Sequence, residues 1–261
     1  MARKRSIVGE TSDTTNTSKT TKQTDAEKKP NKKQKREPSN SHKSKDKSDK
    51  STNKSDKSDI KVVNEEIEDA SEPTRNAQGE LIFEGEPEFR PNMTPKEVLQ
   101  AGSFGGTYFR PIKSSVTGES YTGVWKELPK DWLEGLNIGK QVASKIYDEK
   151  VNRYGAKCGG SLEMWEQSGW MHKQDPYGWF MWYCRYYQGR RTEDDERQIG
   201  RWKKCAGVKG RWRQNLVTKI VRSGCTYDNP GVSPVVRQTL LHWGYTLNED
   251  DYKKGAKRVK L

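Results

Sequence analysis

No phenylalanine, tryptophan or tyrosine occurs in the first 80 residues of this 261-residue chain; all 25 aromatic residues stand at or after Phe83. That absence excludes a hydrophobic core in the N-terminal third, because Lys, Ser, Thr, Asp and Asn bury too little apolar surface to offset the entropy of ordering. Long apolar runs are lacking as well. The longest, residues 179–184, has six residues, where a membrane-spanning helix needs about 20. No apolar stretch follows the Met-Ala-Arg-Lys-Arg start, so the reading is a protein that stays inside the cell, without a secretory signal and without a membrane partner. Cysteine is scarce: Cys158, Cys184, Cys205 and Cys225 are the four. Their spacing of about 20 residues or more lacks the close pairs of a structural zinc site, and a reducing compartment favours free thiols. No cofactor or metal is expected.

What is present divides the chain by charge. Residues 1–57 carry 17 Lys/Arg against 8 Asp/Glu, residues 58–90 carry 3 against 10, and residues 91–261 carry 29 against 18. A basic arm and a basic domain point to a polyanion, most often nucleic acid. The acidic stretch between them would repel that partner or shield the domain, while like charges also serve to keep a disordered arm in solution. Residues 43–59 form an irregular Lys-Ser-Asp low-complexity run, in which phosphorylation of Ser48, Ser55 or Ser58 would each remove about 1.5 to 2 positive charges. The organisation expected is a disordered basic-then-acidic tail over residues 1–82, a Trp-rich globular domain over 83–252, and a basic C-terminal tail over 253–261.

The domain reads as mainly α: a compact multi-helix unit with one short extended or hairpin element. Thr94-Pro95-Lys96-Glu97 fits a helix start, with Gly102 as its stop. GSFGGTYFRPI follows as a turn into an extended segment; its Gly105-Gly106 pair lacks the further Gly and Lys-Ser/Thr of a phosphate loop. Helical signals dominate from Tyr121 onward. Ser161 caps one helix, Asp175-Pro176 starts a second that is aromatic on more than one face, and Thr192 with Glu193, Asp194, Asp195 and Glu196 starts a third. Ile199, Trp202 and Cys205 or Ala206 form the core stripe of that third helix. A break at residues 207–210 precedes a helix striped by Trp212, Leu216 and Ile220, and a last strong helix starts at Ser233-Pro234.

GGTYFRPI (residues 105–112), DPYGWFMWYCRYYQGRR (175–191) and TLLHWGY (239–245) are similar to segments of a Trp-rich family of eukaryotic and large-virus proteins. The resemblance covers roughly residues 87–252 and implies a shared fold; it brings no activity and no site residues. The end of the chain, AKRVKL, resembles the monopartite nuclear-import peptide of the Myc transcription factor. It makes Lys257, Arg258 and Lys260 candidate contacts for a nuclear import receptor, with Lys32, Lys33, Lys35 and Arg36 as a further cluster. Nuclear localisation is the expectation that follows, with the cytoplasm as alternative.

For nucleic-acid binding the richest region is residues 197–222, with nine Lys/Arg and no acid. The candidate contacts are Arg190, Arg191, Arg197, Arg201, Lys203, Lys204, Lys209, Arg211 and Arg213. Phosphate attraction needs such cations, and an exposed Trp202 or Trp212 would add base stacking; the other reading of both tryptophans is as core. Three consecutive Trp-bearing helices also suggest a Myb-like or homeodomain-like helix-turn-helix, with Arg211, Arg213, Gln214 and Asn215 towards a major groove. Two readings from other classes stand beside this one. The first is a peptide-binding module using an exposed aromatic patch. The second is an enzyme in which Cys158 is served by His172 as base, or in which Glu193 to Glu196 gather a metal; a helix N-terminus wants such acids in any case.

Overall fold

In a computed structural model the chain is described over residues 72–260. The tail expected up to residue 82 therefore lies largely outside the described residues, together with Lys32, Lys33, Lys35 and Arg36. Its last part does not fit a disordered tail. Thr74–Arg75 (β1) pairs antiparallel with Leu81–Ile82 (β2), and the Leu81 amide donates to the Pro91 carbonyl at 2.7 Å. Leu81 and Phe83 are buried and anchor the hairpin. Aromatic content misses this boundary because one Leu and one Phe suffice to dock a two-stranded hairpin on a larger body.

The domain is mainly α. Pro95–Gln100 (α1) begins with a complete capping box: the Glu97 amide donates to Thr94 Oγ1 and the Thr94 amide to Glu97 Oε2. Leu162–Gln167 (α2) is capped by Ser161. Trp179–Tyr187 (α3), Asp195–Cys205 (α4), Arg211–Ser223 (α5), Pro234–His242 (α6) and Glu249–Ala256 (α7) follow. The short extended element is a second hairpin, Ile112–Lys113 (β3) with Ser120–Tyr121 (β4). Residues 122–160, expected to be rich in helix, instead form short turns such as Val124–Glu127, Lys130–Trp132 and Glu149–Val151. Gly123, Pro129, Gly135 and Gly155 interrupt any longer period there.

Helix α3 is the axis of the core. Trp179, Phe180, Met181, Trp182, Tyr183, Cys184 and Tyr186 are all buried, so the helix is covered on every side, as an all-round apolar helix must be. Its polar tips find partners: Trp179 Nε1 donates to the Gln198 carbonyl, Trp182 Nε1 to Asp195, and the Tyr183 hydroxyl to the Met93 carbonyl. Its start differs from the sequence expectation. The N-cap is Gly178, not Asp175, whose carboxylate is fully buried and bound by Arg185 at 3.0 Å and Arg190 at 2.6 Å.

Two close approaches fix the elements around α3. Gly106 carries the backbone so near Lys140 that a Cβ there would stand 1.9 Å from its carbonyl oxygen. The glycine pair therefore serves packing, and the space a phosphate would need is filled by the chain itself. Residues 92–93 clasp the turn after α6: the Asn92 and Met93 amides donate to the Gly244 carbonyl, and Asn92 Oδ1 accepts from the Thr246 amide. Beyond that turn Asn248 caps α7, which runs on to Ala256, past the boundary at residue 252.

Candidate nucleic-acid interface

Helices α4, α5 and α7, with the chain segments that join and follow them, carry the basic residues in question. The joint between α4 and α5 is tight: a Cβ on Gly210 would meet the Cys205 carbonyl oxygen at 2.5 Å, and one on Gly207 the Lys203 carbonyl oxygen at 2.7 Å. Leu216, Val217 and Ile220 turn one face of α5 inward, with Trp212 half-buried beside them. Helix α7 lies along α5 in the same direction, because Arg213 pairs with Asp251 and Val217 packs on Gly255 one turn further along both helices. Val221 and Val259 continue this packing against the core.

This arrangement removes several of the expected cations from the surface. Arg190 is 5 % exposed and committed to Asp175; Arg213 is 6 % exposed and committed to Asp251. Neither is the surface contact the sequence predicts: each neutralises a buried carboxylate that would otherwise be left unpaired. Arg197 grips Asp194 at 2.5 and 2.8 Å. Burial pushes the Asp194 carboxyl up, but Arg197 and Gln198 more than offset this and hold it below its usual range. Lys203 pairs with Glu88. The Arg191 guanidinium lies 3.9 Å from the Tyr186 ring centroid, and Arg201 donates to the Trp170 carbonyl and Gln198 Oε1. Trp202 is core, 1 % exposed.

Lys204, Lys209 and Arg211 remain exposed, and the structure adds Lys219, Arg222 and Lys254, with Lys257, Arg258 and Lys260 beyond α7. None of these nine makes an ion pair among the described residues. The signal that finds Lys219 and Arg222 is in the sequence. Arg211, Asn215, Lys219 and Arg222 recur at steps of four, four and three, opposite the Leu216 and Ile220 stripe. Because α5 and α7 are parallel and Gly255 is level with Val217, the chain leaving α7 at Lys257 and Arg258 is level with Lys219, about one turn before Arg222 and the end of α5. Cations at that end also complement the negative ends of both helix dipoles.

The proposed thiol chemistry fares differently. His242, not His172, stands beside Cys158, with Nδ1 3.8 Å from the sulfur. Gln238 Oε1 accepts from the Tyr154 amide, which turns its nitrogen towards His242 Nε2 at 3.0 Å; the Phe104 amide donates to the same Nε2. The ring proton therefore sits on Nδ1, and the face towards sulfur has no lone pair with which to take a proton. Burial raises the Cys158 pKa, although Thr239 hydrogen-bonding lowers it somewhat, and burial pushes His242 down to about 3. Both shifts oppose a thiolate–imidazolium pair. Glu193 to Glu196 divide into cap, ion pair and solvent-facing residues, and no group of three or more His, Cys, Asp or Glu among the described residues is placed to hold a metal ion. The aromatic side chains turn mostly inward; Trp170, 44 % exposed, is an exception.

No protein family, curated protein or solved structure matches the chain.

Proposed function

We propose that this protein is a non-enzymatic nuclear adaptor that associates with nucleic acid, and that its helical domain grips the sugar–phosphate backbone through the exposed basic face of α5 and the C-terminal end of α7. The observation that carries this reading is the group Lys209, Arg211, Lys219, Arg222, Lys254, Lys257, Arg258 and Lys260, exposed and without a carboxylate partner among the described residues. Cations already paired within the fold have little left to offer a phosphate. Unpaired ones exchange their counterions for it and give an affinity that falls steeply with salt. The basic residues of the N-terminal arm add further non-specific attraction, and the C-terminal cluster doubles as the contact for an import receptor.

The test is binding of the full chain to labelled DNA and RNA across a salt series, beside a variant with Lys219, Arg222, Lys257 and Arg258 changed to Gln. These side chains are exposed, so the variant folds as the parent does. Affinity should fall linearly on a log–log plot against salt, and the variant should flatten that slope by about 3 to 4. Equal slopes for parent and variant, or no binding near physiological salt, overturn the proposal.

A further inference from the structure

We propose that α5 is a recognition helix for double-stranded DNA, entering the major groove with Asn215 reading a base edge between flanking cations. This rests on the reading of the basic face given above and narrows it to one helix and one kind of nucleic acid. Among the helices of eight or more residues, α5 combines an acid-free sequence with an exposed cationic face. Helix α4 exposes Glu196 beside its bases and α7 exposes Glu249 and Asp250, while α3 and α6 have no acid but turn Arg237 and most other side chains inward. The exposed row Arg211, Asn215, Lys219, Arg222 runs about 16 Å, or three turns. With its side chains a helix is about 10 to 12 Å across, which matches a B-form major groove about 12 Å wide.

Within that row the chemistry is graded. Arg211 stands at one end, its guanidinium 5.1 Å from the Trp212 ring centroid, and Lys219 and Arg222 stand at the other. These ends face the phosphates that wall the groove. Asn215, between them, is exposed and its carboxamide makes no hydrogen bond among the described residues, whereas the neighbouring Gln214 spends its amide on the Val208 carbonyl at 2.6 Å. A free carboxamide at the centre of a groove-facing row sets an N–H donor beside a carbonyl acceptor, the pattern that pairs with N7 and N6 of adenine. The A-form groove of an RNA duplex is too deep and narrow for a helix to read. A single strand would want an exposed aromatic platform, which this face lacks, since Trp212 is half-buried beneath Arg211.

The experiment uses the full chain and three probes at one salt concentration: a DNA duplex of about two turns, the RNA duplex of the same sequence, and its single strands. It is followed by selection from a randomised DNA duplex library, with the parent and with Asn215→Ala. The expected result is DNA duplex bound about tenfold tighter than RNA duplex or single strands, and enriched sites sharing an adenine that Asn215→Ala no longer enriches. Because Asn215 is exposed and Ala is the better helix former, the variant should melt no lower than the parent, so a loss of adenine enrichment is not a loss of fold. Equal affinity for DNA and RNA duplexes, or enrichment unchanged by Asn215→Ala, overturns the recognition-helix proposal and leaves the phosphate-binding reading standing. Absence of binding to every probe removes both.

Discussion

Asp251 sits where α7 meets α5, accepting from the Tyr245 hydroxyl at 2.7 Å and from the Arg213 guanidinium, and all three side chains are buried. Nothing in the sequence separates Arg213 from Arg211 two positions earlier: both lie in the same basic run, and only the direction of the helix face tells a surface cation from a buried counter-ion. The same holds for Arg190 and Asp175, fifteen residues apart in sequence and 2.6 Å apart in space. His242 gives a residue-scale prediction. Burial lowers its pKa to about 3 from 6.5, so between these values the unfolded chain binds a proton that the folded chain refuses. Its contribution to stability is complete above the ordinary histidine pKa and is lost as pH falls through that window, by up to about 1.4 kcal/mol per pH unit. NMR of the imidazole C–H protons should show one histidine whose shifts stay constant down to about pH 4. Titration of the His242 ring near the ordinary histidine pKa would contradict the buried neutral ring.

At the scale of elements, the helices with local punctuation were legible and those shaped by distant contacts were not. The Thr94 capping box and the Leu216–Ile220 stripe are written within single turns of helix, and each stands in the structure as the sequence has it; acids open α4 as well, but its N-cap is Asp194 rather than Thr192. Asp175-Pro176 mimics a cap equally well, but the buried Arg190 claims the carboxylate and moves the helix start to Gly178. The turns of residues 122–160 are held by contacts across the fold, such as the Gly105 amide on Asn152 Oδ1, which no local pattern announces. The joint before α5 is partly legible: two glycines mark a break, while their steric reason needs coordinates. Gly210 has an ordinary helical-entrance φ of −64°, so replacing it tests space alone. Gly210→Ala should cost about 1 to 3 kcal/mol and lower the Tm by several degrees, because its Cβ would stand 2.5 Å from the Cys205 carbonyl oxygen. An unchanged melting temperature would show that α5 can shift freely against α4.

At the scale of the whole molecule, the basic, acidic, basic division places the cations without saying which are free. The domain limits read from composition are too narrow at both ends, since hairpin β1–β2 precedes residue 83 and α7 extends past residue 252. A fragment of residues 72–260 should therefore resist proteolysis and unfold cooperatively. One of residues 83–252 loses the Arg75–Glu97 ion pair and the Gly255 and Val259 packing, and should melt at a lower temperature; matching melts would place these segments outside the cooperative unit. The aromatic interior has a consequence of another kind. Trp179 lies 4.6 Å from Trp243 and 5.0 Å from Tyr183, and Trp182 stacks on Tyr186 at 4.8 Å. Chromophores this close share their electronic transitions, so the far-ultraviolet circular dichroism of this protein should carry an exciton couplet superimposed on the helix bands. Helix content taken from that spectrum will be misjudged, and the couplet itself becomes an optical report on whether α3 and the end of α6 are still in register.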